Sequence, residues 1–212
     1  MLGTMKTENG SPFEPKGIPV YLKNLLSRSD HDNLLEVCEF SSRFSRVNLS
    51  RITNCRSCSN MPVLQGVQSH FATYVEDSMG VRVKPVGSTY YSFGSGGIFP
   101  LRTTSKNNDF TIFIFLGFYS ENIEWPLEIS RPVSEPERAS IDFPAGTIQN
   151  EELSSLILSR HAFSRVKPRN GDAVLFSGSR CFHRFVGSTV NDARILCLNF
   201  KSLEVTVDEP RQ

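Results

Sequence analysis

One stretch decides the fold: Arg169-Asn-Gly-Asp-Ala-Val-Leu-Phe176, then Cys181-Phe-His183, then Arg194. A Gly-Asp turn opens an apolar strand, a second short strand presents one histidine, and Arg194 lies inside a third apolar strand. A guanidinium among apolar neighbours needs a partner, because an unpaired buried charge is costly. A planar carboxylate held by two parallel hydrogen bonds is one candidate partner, and a salt bridge to Asp172 or Asp192 is the alternative.

Short strands continue on both sides of this stretch. The segments Phe110 to Leu116, Trp125 to Ser130, Phe182 to Val186 and Ala193 to Phe200 are rich in β-branched and aromatic residues. Turn residues such as Gly, Asn and Asp separate them. This series predicts that residues 81–207 form two facing antiparallel sheets of a jelly roll, with Phe110 to Leu116 as a central strand.

Helical patterns precede the strands. Tyr21 to Leu26 is a short helix-like run, and Ser29 or Asp30 is placed to cap a longer helix after it. Apolar residues recur at helical spacing from Val67 to Met79, and Gly80 is placed to end that helix. We therefore expect helices within about residues 18–80, packed against one sheet.

The remaining segments define the ends of the domain and its insertions. Residues 1–17 have no hydrophobic periodicity and predict a disordered lead, so residues 18–212 form one domain, mainly β with flanking helices. Ser41 to Met61 is rich in Ser, Asn and Arg and predicts a loop. Glu151 to Arg160 is compatible with a short helix or an extended insertion.

Composition excludes several functional classes. The 23 basic and 22 acidic residues give a net charge of +1, so the composition does not indicate a basic surface that would bind nucleic acid. No apolar run is long enough for a membrane helix, and Met1 to Pro15 has no signal-peptide core, so we expect a cytoplasmic protein. The five cysteines, an odd count without a secretion signal, argue against a disulfide framework.

The stretch from Pro168 to Arg194 resembles the C-terminal half of the iron(II)/2-oxoglutarate oxygenases, especially the prolyl-hydroxylase-like branch. Tyr91-Ser-Phe-Gly94 and the apolar strand from Phe110 match the family's first β segments, so the resemblance covers about residues 67–201. It implies a double-stranded β-helix. It also implies His183 as a metal ligand, and Arg194 and Tyr91 as residues that bind the 2-oxoglutarate cofactor.

The sequence departs from the family at the other two iron ligands. Counted from Gly94, the family's His-x-acid pair falls on Pro100-Leu101-Arg102. Proline cannot bind iron, and arginine puts a positive charge where a carboxylate belongs in the usual two-His-one-carboxylate site. His183 is therefore a lone candidate ligand, and its alternative is a hydrogen-bonded histidine at a strand end.

Further residues have two interpretations each. Arg102 is either a solvated loop residue or a cation that replaces the charge of the metal and holds an anionic group. Tyr90 and Trp125 are core residues or pocket walls. Cys55-Arg-Ser-Cys58 has zinc-knuckle spacing that Cys181 and His183 would complete, and the alternative is two free thiols in a loop.

Three functions follow from these residues. The leading hypothesis is an oxygenase-like protein with an incomplete metal triad. It binds a small carboxylate-bearing molecule, with 2-oxoglutarate among the candidates, and acts by metal-free chemistry or beside an active enzyme. The first alternative is an active iron(II)/2-oxoglutarate dioxygenase with an unorthodox ligand set, in which either Asp109 supplies the carboxylate or the substrate itself contributes ligands. The second is a non-enzymatic interaction scaffold, and a protein partner or a homodimer stays open for each of them.

Overall fold

The computed structural model describes residues 19–50, 53–104, 107–118, 125–134, 148, 150–189 and 192–203. The predicted disordered lead over residues 1–17 lies outside this part of the chain. The described elements, in chain order, are β1 (Val20–Leu22), α1 (Arg28–Ser42), β2 (Val47–Ser50), β3 (Cys55–Ser59), a 3-10 turn (Pro62–Leu64), α2 (Gln65–Met79), β4 (Val83–Phe93), β5 (Phe110–Phe118), β6 (Leu127–Ser130), α3 (Glu151–Arg160), β7 (Phe163–Val166), β8 (Ala173–Phe176), β9 (His183–Phe185) and β10 (Ala193–Ser202).

The strands form two antiparallel sheets, which confirms the predicted jelly roll. The major sheet has the order β1-β8-β5-β10-β4-β3-β2, and the minor sheet has the order β7-β6-β9. Strand β5 is paired on both sides, by β8 and β10, so the apolar run from Phe110 is central as predicted.

Side chains alternate between the two faces of the major sheet, and both faces are buried. On β10, Ile195 and Cys197 belong to the core between the two sheets, which we call the barrel interior. Leu196 and Leu198 belong to the core beneath α1 and α2, which we call the helix-side face. The predicted helical cover of one sheet is therefore confirmed.

The helix termini lie within three residues of the predicted positions. The cap of α1 is Ser27, whose side chain accepts a hydrogen bond from Asp30 N at 3.1 Å. The predicted caps, Ser29 and Asp30, are therefore wrong, because both lie inside the first turn. Helix α2 ends at Gly80, which adopts the left-handed conformation with φ of 65° as predicted. Glu151–Arg160 is a helix rather than an extended insertion.

Two local predictions are wrong. The predicted helix Tyr21 to Leu26 is replaced by strand β1, which pairs with β8, and Asn24 has a φ of 51° that no right-handed helix accommodates. The predicted loop Ser41 to Met61 contains β2 and β3, a hairpin at the edge of the major sheet. Edge strands tolerate polar side chains because less of their surface is buried.

Within the described residues, no helix is long and apolar enough to cross a membrane.

The Gly-Asp turn of the motif anchors β1 to the sheet. Gly171 has a φ of 83°, a conformation that favours glycine. The buried carboxylate of Asp172 accepts hydrogen bonds from Asn24 N at 2.9 Å, from Arg169 N at 2.8 Å and from the hydroxyl of Tyr21. Asp172 is thus a structural residue of the turn, and it is not the partner of Arg194.

Candidate functional site

His183 begins β9 and lies in the barrel interior, where it is completely buried. Its Nδ1 is 3.2 Å from the carbonyl oxygen of Cys181, while its Nε2 has no hydrogen-bond partner among the described residues. Three phenylalanine rings pack around the imidazole, with centroids 5.0 to 6.0 Å away: Phe99, Phe113 and Phe176. The histidine is therefore enclosed in aromatic side chains rather than open to a wide cavity.

Arg102 lies directly beside His183. The two residues form an isolated antiparallel bridge in which Arg102 N donates to His183 O at 3.0 Å and His183 N donates to Arg102 O at 2.9 Å. Residues paired in this way project their side chains to the same face. The guanidinium lies 5.3 Å from the centroid of the Phe99 ring, and its buried Nε has no partner among the described residues. Arg102 is thus a half-buried cation that borders the barrel interior, with its Nε enclosed, rather than a fully solvated loop residue.

The surroundings keep His183 uncharged. Burial lowers its pKa to about 3, and the positive charge of Arg102 acts in the same direction, against a hydrogen bond to the Cys181 carbonyl that raises it. Burial raises the pKa of Tyr91, Cys55 and Cys197 to about 12 each, and Arg102 opposes that rise in all three. The positive charge of Arg102 therefore acts on all four of these neutral groups.

An iron centre of the family's type does not fit these residues. In the described part of the chain, no three His, Cys, Asp or Glu side chains form a group that could hold a metal ion. Asp109, the alternative carboxylate, is bound to Lys201 Nζ at 3.1 Å and to the backbone and hydroxyl of Ser202. The neighbour that His183 does have is a guanidinium, which repels a metal cation.

The position of Arg194 corrects the sequence prediction. We expected it in the barrel interior near His183, but it lies on the helix-side face, where its Nε donates to Glu39 Oε1 of α1 at 2.7 Å and its Nη2 is 3.5 Å from Asp192 Oδ2. It does share its face with Leu196, as strand alternation requires. The main partner of Arg194 is therefore the carboxylate of Glu39. Asp192, which the sequence analysis named as an alternative partner, makes a longer contact.

Two neighbouring residues, Gly117 and Tyr90, accommodate the ion pair of Arg194 and Glu39 on the helix-side face. A Cβ at Gly117 would lie 2.9 Å from Arg194 Cγ, so the glycine makes room for the arginine stem. The Tyr90 hydroxyl also donates to Glu39 Oε1. Burial alone would raise the pKa of Glu39, but the hydrogen bonds from Tyr90 and Arg194 hold it below its ordinary value. Arg194 is therefore committed to a structural contact, and 2-oxoglutarate held by Arg194 inside the barrel does not fit.

The predicted aromatic residues divide between the two faces. Tyr91 lies in the barrel interior, where its ring centroid is 5.7 Å from that of Phe99. Trp125 is also interior, and it stacks on Phe185 at 4.1 Å. Tyr90, predicted as a core residue or a pocket wall, belongs to the core of the helix-side face, because adjacent residues of a strand point to opposite sides.

The candidate zinc ligands are not brought together. Cys55 and Cys58 are three residues apart on β3, so they point to opposite faces, Cys55 into the barrel interior and Cys58 towards the helices. Cys181 precedes β9 of the other sheet and has a buried thiol whose pKa burial raises to about 12. The predicted alternative, two thiols in a loop, is wrong about the loop, because both belong to a strand.

Two residues of the site escaped sequence reasoning. Phe99 was not predicted as a site residue, yet its ring packs near both Arg102 and His183. Phe185 N donates to Phe99 O at 3.1 Å, so the four residues from Phe99 to Arg102 lie opposite the three from His183 to Phe185. This bulge shifts the count from Gly94 by one residue. Glu39 was also missed, since its partner Arg194 is 155 residues away along the chain.

The fold is shared with solved 2-oxoglutarate oxygenases. The carbocyclase SnoK from nogalamycin biosynthesis superposes with a TM-score of 0.73 at 14% identity, covering 94% of this chain and 87% of that one. A prolyl-4-hydroxylase of Pseudomonas putida gives 0.61 at 9% identity over 89% and 94%. EctD of S. alaskensis, with 2-oxoglutarate and 5-hydroxyectoine, gives 0.61 at 15% over 98% and 85%.

These likenesses establish the architecture that the resemblance implied. The sequence matches no protein-family model, and it matches no curated protein. At such identities the shared fold leaves the activity open, because one fold carries many functions.

Proposed function

We propose that this protein binds a small carboxylate-bearing molecule at Arg102, without iron, on the scaffold of an oxygenase. One observation carries the proposal: a guanidinium occupies the place beside His183 where a metal site would need a carboxylate, and its buried Nε has no partner among the described residues. Arginine does not lose its proton, so such a group requires an anion or water. A carboxylate satisfies both its charge and its hydrogen-bonding geometry.

The surroundings favour binding over catalysis at His183. With a pKa of about 3, its imidazole is a weak base at neutral pH and suits general acid-base chemistry poorly. The interior around Arg102 is otherwise apolar or uncharged, which strengthens an ion pair formed there. Because Arg194 is paired with Glu39 on the helix-side face, it does not offer a second cation to a ligand with two carboxylates in the barrel interior.

The test is ligand-induced stabilisation with chelator present, so that iron plays no part. Benzoate and 2-oxoglutarate serve as probes with one and two carboxylates. We expect a rise in Tm with benzoate, which Arg102→Gln abolishes and Arg56→Gln, an exposed arginine on the helix-side face, preserves. If neither probe raises the Tm, or the rise survives Arg102→Gln, the proposal fails. Stoichiometric iron that is lost in His183→Ala would also contradict it.

A second function, an interaction scaffold, is favoured by one other observation. Phe99, Phe113 and Phe176 are at most 2% exposed, so rings fill the space around His183. A barrel whose interior is closed by its own side chains serves as a support for surface contacts. The benzoate experiment separates the two functions, because a scaffold has no Arg102-dependent ligand.

A further inference from the structure

The free edge of the major sheet has an unusual surface. Strand β2 ends the sheet and pairs with β3 alone among the described strands. Beside it lie three strongly exposed apolar side chains: Phe40 at 59%, Phe44 at 78% and Leu49 at 71% exposure. The rings of Phe40 and Phe44 contact each other at 5.1 Å. An open strand edge with exposed apolar groups is a template for pairing with another strand.

The charge of this edge restricts what can pair with it. Three exposed arginines surround it, Arg43 and Arg46 in the connection before β2 and Arg56 directly opposite Leu49 on β3. The opposite edge strand, β1, has three residues and none of them is exposed. An added strand at β2 should therefore be acidic and should alternate apolar with polar residues.

The chain contains one such segment after its last described strand. Residues 204–209 read Glu-Val-Thr-Val-Asp-Glu, with two valines in alternation and three carboxylates. Alternating β-branched residues favour a strand, and three acidic groups match three arginines. We propose that this segment of a second copy adds to the free edge of β2, so that two copies exchange their C-terminal segments.

The same segment of the same copy is too far from β2. Leu203 N donates to Arg82 O, and the residue of β4 level with Val47 is Tyr90, eight residues further along. At about 3.3 Å per residue and about 4.8 Å per strand, with three strand spacings between β10 and β2, the separation is about 30 Å. Six extended residues span at most about 20 Å. A reciprocal exchange between two copies fills both edges and closes the assembly.

The experiment measures self-association of the full chain by sedimentation velocity, from micromolar to submillimolar concentration. We expect association that weakens with salt and is lost in Arg43→Glu/Arg46→Glu. Reversing the segment instead, with Glu204→Lys/Asp208→Lys/Glu209→Lys, should have the same effect. Mixing these two variants should restore association, since one copy's arginines then meet the unreversed segment of the other.

A matched control reverses two exposed basic residues elsewhere, Lys23→Glu/Arg160→Glu, and should leave association unchanged. A chain that stays monomeric over this range overturns the proposal. Association that survives both reversals also overturns it, because another surface then carries the contact. The outcome is independent of ligand binding at Arg102, since that site lies in the barrel interior.

Discussion

At the scale of one residue, burial keeps the His183 imidazole neutral and makes stability depend on pH. Its folded pKa of about 3 is below the value of about 6.5 in the unfolded chain. Above pH 6.5 both states are neutral and stability is complete. As the pH falls below 6.5, the unfolded state binds a proton that the folded state does not, so stability is lost until about pH 3.

We therefore predict an acid sensitivity that depends on His183. Between pH 8 and pH 5 the wild type should lose about 2 kcal/mol more unfolding free energy than His183→Asn, which cannot titrate. Urea unfolding across this pH range measures the difference. If the unfolding free energies of the two proteins change with pH in the same way, the folded state accepts the proton as readily as the unfolded state. The conclusion that His183 stays neutral in the folded protein would then be wrong.

The sequence prediction for Arg194 is right about the strand and wrong about the face of the sheet. The sequence fixes which residues share its face, but both faces of β10 are apolar, because helices cover one side and the minor sheet the other. Periodicity alone cannot distinguish two buried faces. The partner Glu39 lies on a helix far away in sequence, and no local pattern connects the two residues.

The contact between Arg194 and Glu39 should have a measurable coupling energy. A double-mutant cycle with Arg194→Gln and Glu39→Gln should give about 1 kcal/mol, since the arginine side chain is 14% exposed and Glu39 is 40% exposed. The matched control is Arg165 with Glu128, where the arginine is 54% exposed and the coupling should be smaller. Equal couplings would show that burial of Arg194 contributes nothing.

At the scale of elements, the apolar strands were predictable, whereas the short or polar strands at the two ends of the major sheet were not. The strands β5, β8 and β10 are continuous apolar runs, and each was located from the sequence. Strands β2 and β3 are polar because the sheet ends there, and their composition is that of a loop. Strand β1 has three residues, too few to distinguish a period of two from one of 3.6.

The turn after β8 allows a strict test of packing between elements. A Cβ at Gly178 would overlap the Oγ1 atoms of Thr111 and Thr104, both buried, so Gly178→Ala should cost about 3 kcal/mol of unfolding free energy. Gly66 in α2 has nothing within 4 Å of its Cβ position, and Gly66→Ala should be neutral or stabilising by up to about 1 kcal/mol. A small effect of Gly178→Ala in chemical denaturation would mean that the turn moves freely.

At the scale of the whole molecule, the shared fold leaves the chemistry of the site open. Two sheets and a central apolar strand are present as predicted, and His183 lies in the barrel interior. A metal site of the usual type would need a carboxylate and a second imidazole beside His183, where the structure has Arg102 and the Phe99 ring. The framework is set by apolar patterning spread over many strands, whereas the site depends on two side chains, so the two can change independently.

The arrangement of the side chains around His183 predicts that two substitutions can create a metal site. The side chains of Phe99, Arg102 and His183 converge, with 5.3 Å from the Arg102 guanidinium to the Phe99 ring and 6.0 Å between the Phe99 and His183 rings. Phe99→His/Arg102→Asp places two imidazoles and one carboxylate there and removes the repelling charge. We expect Co²⁺ binding with a Kd of about 10 µM, seen in the visible absorption of the metal and in calorimetry.

A second variant tests whether position 99, as the structure indicates, or position 100, as the sequence spacing indicates, supplies the second ligand. Pro100→His/Arg102→Asp follows the spacing from Gly94 and should bind Co²⁺ more weakly, because in the bulge the ring of residue 99 is the one beside His183. Adding His183→Ala to the first variant should abolish its binding, since two ligands hold the ion poorly. If the variant at position 100 binds more tightly, the bulge is misplaced. If neither variant binds, the side chains at these positions do not converge closely enough to hold an ion.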